Sequence, residues 1–565
     1  VVSSPPPGSE GATPARGLWY RRLPTLAYHL VLAGSVLALG VLLVWKPVLG
    51  RYDFWAHAAV GRWICENGRV PDRSLFLWTA DEPWVYHSWL AQVVFYALTC
   101  VGAPQALADI ILGFTAAVAL TPFALAWWLW CVRAGPSCWM AIPFAIALMG
   151  TSSRFQTRPE LFTALFLSLL LANLSRTVYA APVRRGRWLE TCAVLVGFTV
   201  WGNMHGAVVI GLLVLLVTAG CDLLQNRRDG GWRHPALLAL LAPLAVCINP
   251  YGISYWVALE PVGSERFGEI LEWYPLWRGP SPGEPVLVAA ILLPALAAVA
   301  WALNPDRRFA QLGWLLMFAG MCALARRNVW PLSVASLLVL ATNARTLDPA
   351  LLWARIGQAI APRTRLQLPP PILRWGLRGV VLVSVVLYAL SVAVLVRPWR
   401  PFTPTRLDDG IVKFVEENRI AGRVFNDYEN SSFLQWRFRG HPALYIDLLN
   451  AYPDQVVTDY RAIVSLSDRG KGLLDEQGIE IVILTTNRGA GASLAKLGNY
   501  LDRRPEWARV YTDADGVVWV RRTPELAHLW QSPKRPFKPV EFAVLEQWGE
   551  ESTVLSPPTI PEKWR

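Results

Sequence analysis

"RYDFWAHAAVGRW", Arg51–Trp63, follows directly on the apolar run Thr25–Trp45. That run has about the length of twenty residues that a membrane-crossing helix needs. A chain merely leaving a bilayer requires an aromatic and a basic anchor at this point. This chain instead sets Asp53 and His57 four residues apart, on one face of a helix, with Gly61 one turn further along. What this acid-and-imidazole face serves depends on which other polar stretches share its side of the membrane.

Of the 565 residues, 54% are hydrophobic and only 17% charged, against about a quarter charged in soluble proteins. The 29 Trp and 43 Pro fit aromatic belts and interrupted membrane helices. The net charge of +12 does not indicate a nucleic-acid partner, because the arginines cluster between apolar runs, as in cytoplasmic loops. The eight cysteines form no CxxC pair and lie mostly in or beside apolar runs, so neither a disulfide scaffold nor a zinc site is expected.

Residues 1–24 read as a cytoplasmic N-terminus, disordered over the Pro-, Ser- and Gly-rich stretch 1–17, and Arg16, Arg21 and Arg22 mark an uncleaved signal-anchor. Further apolar runs near 88–132, 137–151, 161–175, 189–202, 207–224, 236–248, 286–303, 309–325, 329–342 and 376–396 predict a transmembrane domain over 25–396. Roughly eleven or twelve spans result. Several runs have only about fifteen residues, so their helices must extend into polar flanks or end against a water-filled cavity. Gly102-Ala103-Pro104 breaks the 88–132 block into a short embedded piece and a long crossing one. With the arginine-rich stretches 176–188, 225–234, 306–308 and 343–378 on the cytoplasmic side, 46–87 becomes the first extracytoplasmic loop. Everything after 396 then lies outside as well.

This topology gathers five polar clusters on one face: Asp53/His57, "SSRFQTRPE" (152–160), "WGNMHG" (201–206), "INPYG…EW" (248–273) and "ARRN" (325–328). Charges at the ends of apolar helices line a cavity or snorkel to the surface. Convergence of five such clusters implies a single site. Asp53 and Glu160 suit a base or an oxygen ligand to a divalent cation. Arg154, Arg158, Arg326 and Arg327 suit a phosphate or pyrophosphate clamp, and His57 and His205 suit donors to the same group or partners of a carboxylate. A lipid-linked phosphate fits, with its tail in the bilayer and its head at the surface. Plainer readings stand beside these: Asp53 as a helix cap, Arg154 and Arg158 as anchors or partners of Glu160, His205 as a satisfied core histidine.

From Pro398 the composition becomes that of a soluble fold. "GRVFNDY" (422–428), "ALYIDLL" (443–449) and "IEIVILTT" (479–486) predict buried strands, and "ARVYTDADGVVWVRR" (508–522) a hairpin turning at Asp513–Gly516. An α/β domain over 397–530 follows, with a Pro-rich tail over 531–565. The fold class expected is mostly α, a multi-spanning transmembrane bundle with a C-terminal extracytoplasmic α/β domain.

The stretch "DFWAHAAVGRWICENGRVPDRSLFLWTADEPWVYHSWLAQ" (53–92), with "RFQTRPELFTALFL", "WGNMHGAVVIG", "NPYG", "EWYP" and "ARRN", resembles a bacterial family of multi-spanning proteins similar to the GT-C glycosyltransferase superfamily. That superfamily includes protein O-mannosyltransferases and the aminoarabinose transferases of lipid A. The resemblance implies a polyprenyl-phosphate sugar donor, an extracytoplasmic acceptor and a place in the bacterial inner (cytoplasmic) membrane. It implies a site between the first outer loop and the membrane, with Asp53 at the position of the superfamily's functional acid and Glu160 matching a second one. A divalent cation, magnesium or manganese held by Asp53, belongs to the same expectation. Asp53 is followed by Phe54, so this chain has neither an Asp-Glu pair nor Asp-x-Asp. Two other classes compete: a membrane scaffold or receptor with an outer binding domain, and a transporter of a lipid-linked substrate.

Overall fold

The computed structural model describes residues 30, 32–41, 43, 53–101, 107–135, 140–177, 187–225, 228, 230–257, 259, 271–278, 284–347, 379, 382–383, 386, 409–428, 431–485, 492–513 and 516–531. The expectations for the N-terminus 1–24, the break at Gly102-Ala103-Pro104, most of the 376–396 run and the tail beyond 531 lie outside these residues.

The N-terminal part is helical. α1 (Leu32–Val41), α2 (Phe54–Asn67), α3 (Trp89–Thr99), α4 (Leu107–Ala134), α5 (Ala141–Thr151), α6 (Glu160–Thr177) and α7 (Arg187–Met204) follow one another in sequence. They continue as α8 (Val209–Gln225), α9 (Arg233–Val246), the single turn α10 (Ser254–Val257), α11 (Pro285–Ala302), α12 (Phe309–Leu324) and α13 (Val329–Thr342). Among the described residues, three stretches are long and apolar enough to cross a membrane: Asp109–Ala134, Gly206–Gln225 and Pro285–Ala302.

The short apolar runs meet their length problem in two ways. α6 and α7 extend into polar flanks and reach 18 residues each. α13 keeps to 14 residues, and Val329–Ala341 are all buried, against α4, α5, α6, α11 and α12. A helix apolar all round belongs inside a bundle. α3, at 11 residues, covers about 16 Å at 1.5 Å per residue, half of a roughly 30 Å hydrocarbon core, so it is the short piece of its block and α4 the long one.

α2 ends at Gly68, whose positive φ of 64° lets its N–H return to the Ile64 carbonyl. α2 lies so close to α3 that a Cβ at Gly61 would fall 2.0 Å from the Gln92 carbonyl oxygen. Only glycine permits this approach.

The C-terminal part carries α14 (Asp409–Glu417), β1 (Val424–Asn426), α15 (Ser431–Phe438), α16 (Asp454–Ser465), α17 (Asp468–Glu476), β2 (Ile481–Thr485), α18 (Ala492–Asp502), β3 (Trp507–Thr512) and β4 (Gly516–Arg521). The sheet order is β1-β2-β4-β3, with β1 and β2 parallel and the other neighbours antiparallel. The hairpin turns at Asp513–Gly516, where the Gly516 N–H donates to Asp513 Oδ1 at 2.8 Å.

The stretch 443–449 is not a strand. The Asn426 side chain takes the backbone groups that a ladder would have used: its Oδ1 accepts from Tyr445 N at 2.9 Å and its Nδ2 donates to the Ile446 carbonyl at 3.0 Å. Leu444 instead bridges Leu77 in the loop between α2 and α3, with Leu444 N donating to Phe76 O at 2.8 Å.

That loop and α2 share one hydrophobic core with the C-terminal domain, running from Phe54 and Trp55 through Phe433 and Phe425 to the sheet. Trp78 Nε1 donates to the Val424 carbonyl at 2.9 Å, and Arg62 lies over the Trp436 ring, 4.2 Å from its centre. α2, and with it Asp53, is therefore clamped between the bundle and the sheet domain.

Asp447 sits buried at this seam, taking Gln435 Nε2 at 2.6 Å, with the amides of Leu449, Asn450 and Ala451 facing it. Burial nonetheless pushes its carboxyl up to about 6. A carboxyl raised on folding favours the native state at low pH, and that advantage is lost as pH rises through about 6. Asp447→Asn is expected to stabilise the full chain at pH 8, by up to about 3 kcal/mol, and by only about half as much at pH 5. Thermal unfolding in detergent at the two pH values checks this; a loss of stability at pH 8 would contradict it.

Candidate functional site

Charged residues from four helix ends meet beside α2. Asp53 stands at the N-cap position of α2, yet its side chain makes no capping bond. The carboxylate turns to Arg158, with Oδ2 2.9 Å from Nε and Oδ1 accepting from Nη2 at 3.4 Å.

Arg154, Arg158 and Glu160 come from the turn joining α5 to α6. Phe155 pins this turn by packing edge-on against Trp330 and Phe123, and Thr157 shares a 2.6 Å hydroxyl contact with Thr115 of α4. Pro159 leads directly into α6 and Glu160 occupies its first turn, where a negative charge complements the helix dipole. Arg327 lies on the turn Arg326–Asn328 between α12 and α13. The turn Leu271–Trp273 supplies Glu272, held alongside because Arg326 N donates to Tyr274 O at 2.9 Å and Leu276 N to Ala323 O at 2.9 Å.

The resulting network alternates in sign. Arg154 donates to both Glu160 and Glu272. Arg327 reaches Glu160 at 3.3 Å and Glu272 at 3.4 Å, with its guanidinium 4.4 Å from the centre of the Trp273 ring. Arg158 reaches Glu272 at 3.4 Å as well as Asp53. Arg154 is the inner member, its side chain 5% exposed, whereas those of Arg158 and Arg327 are 24% and 20% exposed and reachable by an incoming anion.

The carboxyls separate by environment. Burial is the largest influence on Asp53 and raises its carboxyl above the ordinary value, while Arg158 pulls it back and Glu272 adds to the rise. Burial would raise Glu272 too, but Arg154, Arg327 and Arg158 together hold it below the usual range. Glu160 is engaged by Arg154 and Arg327. Asp53 is thus the member of the network suited to exchanging a proton.

Of the residues expected from the sequence, Asp53, Glu160, Arg154, Arg158 and Arg327 come together. Arg326 does not join them: it points the other way, to Glu284 at 3.0 Å, because consecutive residues of one turn diverge. His57 does not orient the Asp53 carboxylate; its Nδ1 is bound by Gln92 Nε2 at 3.2 Å, across the α2–α3 contact. His205 Nδ1 meets Thr163 Oγ1 at 2.8 Å, again away from the carboxylates. Glu272 is the member that was not singled out. Its "EWYP" block is visible in the sequence, but no spacing there distinguishes one acid from a solvated one. The C-terminal domain also reaches the site: the Tyr428 hydroxyl, donating to Asn450 Oδ1 at 3.0 Å, lies within electrostatic reach of Asp53 and Arg158.

A divalent cation at Asp53 finds no ligand set here. Among the described residues no three His, Cys, Asp or Glu side chains converge on one point, and each carboxylate of the network already faces an arginine.

No protein family matches the sequence, and no curated protein is similar to it in sequence. Solved structures match it in fold. The archaeal oligosaccharyltransferase AglB from Archaeoglobus fulgidus, in complex with an inhibitory peptide and a dolichol-phosphate, is similar with a TM-score of 0.58 and 9% identity, over 88% of this chain and 74% of that one. ArnT from Cupriavidus metallidurans in the apo state gives 0.52 and 17% identity, over 93% and 100% of the two chains. ArnT bound to undecaprenyl phosphate gives 0.50 and 15% identity, over 87% and 97%. At such identities the likeness shows the fold alone: this chain shares the architecture of these structures, mostly helical with a small C-terminal sheet domain.

Proposed function

We propose that this chain is a glycosyltransferase of the bacterial inner membrane that moves a sugar from a polyprenyl-phosphate donor to an acceptor on the extracytoplasmic side. The observation that carries the reading is one carboxylate, Asp53, turned to Arg158 in a network that also holds the partly exposed guanidinium of Arg327. Support comes from the shared fold with proteins solved with dolichol-phosphate and undecaprenyl phosphate.

In this reading the donor phosphate takes Arg158 and Arg327, which exchange their loose contacts with Glu272 for charge-assisted bonds to phosphate oxygens. Asp53 accepts the proton of the acceptor's nucleophile as that atom bonds to the anomeric carbon. The bond from that carbon to the phosphate oxygen breaks, its electron pair stays on the lipid phosphate, and the configuration inverts. Negative charge grows on the phosphate in the transition state, where two prearranged guanidiniums stabilise it. Arg154, Glu160 and Glu272 hold the others in place.

A scaffold role has its own support, since the network is already self-paired with equal numbers of opposite charges. Binding separates the two readings. The protein in detergent should bind undecaprenyl phosphate, and Arg327→Ala should weaken that binding about tenfold to a hundredfold, the worth of one hydrogen bond to a charged group. A scaffold would bind neither more nor less of the lipid after the substitution.

A further inference from the structure

We propose that His57, His87 and His205, with Gln92, form a hydroxyl-binding subsite for the sugar of the donor, next to the arginines that take its phosphate; this rests on the transferase reading above. The three imidazoles come from different elements: α2, the end of the following loop, and the turn between α7 and α8. The rings of His87 and His205 lie 6.1 Å apart, and His57 stands close enough to feel the charge of both. A Cβ at Gly206 would come within 3.0 Å of the His87 ring, which sets the spacing of that pair.

Each ring is anchored on a protein group. Gln92 Nε2 donates to His57 Nδ1 at 3.2 Å. Thr163, whose oxygen already accepts the Trp201 indole N–H at 3.0 Å, has its own hydrogen to give His205 Nδ1 at 2.8 Å. Both imidazoles then carry their proton on Nε2, away from the anchor. His87 is held by the Val85 carbonyl. Gln92 is 3% exposed, yet its Oε1 has no hydrogen-bond partner. A buried amide oxygen left without a donor costs free energy unless something fills the position, and a sugar hydroxyl would.

The chemistry favours hydroxyls over phosphate. Burial, reinforced by Arg158 and the neighbouring imidazoles, lowers His57 to about 3; burial lowers His87 to about 4, and His205 is driven well below its ordinary value. These imidazoles are neutral at any physiological pH. A phosphate oxygen prefers charged donors and finds them in the arginines, Arg158 within electrostatic reach of His57 and Arg327 and Arg154 of His205. A hydroxyl both gives and accepts: it can take the Nε2–H of His57 or His205 and give its own hydrogen to the unpartnered Gln92 Oε1.

The test uses the full chain in detergent and two lipids, undecaprenyl phosphate and undecaprenyl-phosphate glucose, titrated by native mass spectrometry. The unaltered protein should bind the glucose conjugate more tightly. His87→Gln and His205→Gln should each erase about twofold to tenfold of that preference while leaving bare undecaprenyl phosphate unchanged. A second measurement needs no variant: diethyl pyrocarbonate labelling of the three histidines, mapped by mass spectrometry, should be suppressed by the conjugate more than by the bare lipid. Equal losses for both lipids, equal protection by both, or stoichiometric zinc in the purified protein would each overturn the subsite. If the unaltered protein binds neither lipid, the transferase reading itself fails.

Discussion

Asp53→Asn is expected to slow sugar transfer by about 10²–10⁴, the usual contribution of a positioned general base, while undecaprenyl phosphate binds as well as before or better. Asparagine has nearly the shape of aspartate and keeps an oxygen for Arg158 to donate to, so the α2 start and the arginine that meets it should stay in place. What disappears is the proton acceptor. Lipid phosphate binding should hold or tighten because Arg158 loses a competing negative charge. The pH dependence supplies a second check. Burial raises the Asp53 carboxyl, so the rate of the unaltered protein should climb with pH through a value above the ordinary carboxylate range. The variant should lack that limb. Consumption of radiolabelled polyprenyl-phosphate sugars in membrane vesicles containing the acceptor gives both readings. Unchanged transfer in the variant would remove Asp53 from the chemistry and leave the scaffold reading in front.

Arg154→Ala is expected to cost about 3 kcal/mol of stability, a value typical of removing one partner from a buried ion pair. The loss comes from what remains: Glu160 and Glu272 keep their charges in a poorly solvated turn with only Arg327 and Arg158 to answer them. The same argument predicts a rescue. Adding Glu160→Gln and Glu272→Gln to Arg154→Ala removes the stranded charges, and most of the stability should return although three ionic residues have gone. Tryptophan-monitored thermal unfolding in detergent compares the three proteins. Equal melting of the single variant and the unaltered chain would mean that the network is solvated and holds nothing together. The single variant should also transfer poorly, because Arg154 fixes the two acids that orient Arg327 and Arg158.

Much of this site was legible because a charge at the end of an apolar run is conspicuous. Asp53, Arg154, Arg158, Glu160 and Arg327 were marked in that way, and all five meet. The same signal marked Arg326, which turns to Glu284, since adjacency in sequence places two side chains in different directions on a tight turn. Helical spacing placed His57 on the Asp53 side of α2, but the close approach of α3 at Gly61 presents Gln92 to it instead. The strand expected over 443–449 failed for a related reason. Leu444, Tyr445 and Ile446 were read correctly as buried. Which backbone partner they find depends on Asn426, nearly twenty residues away, and on the loop at Leu77.

The sequence by itself determined the bundle of apolar helices, the charged helix ends and the hairpin of the C-terminal sheet. Those features arise from hydrophobic burial, from helices that satisfy their own backbone, and from turn chemistry, all of which act over a few neighbouring residues. Tertiary structure alone decided which arginine answers which carboxylate and that the first loop and the C-terminal domain share a core. It also added Glu272 to the site. The reason is distance: the pairs Asp53–Arg158, Arg154–Glu272 and Arg327–Glu160 join residues 105, 118 and 167 positions apart. An ion pair is made or lost within a few ångströms, and only the packing of α2, α6, α12 and α13 with the turn at Glu272 brings these groups within that range.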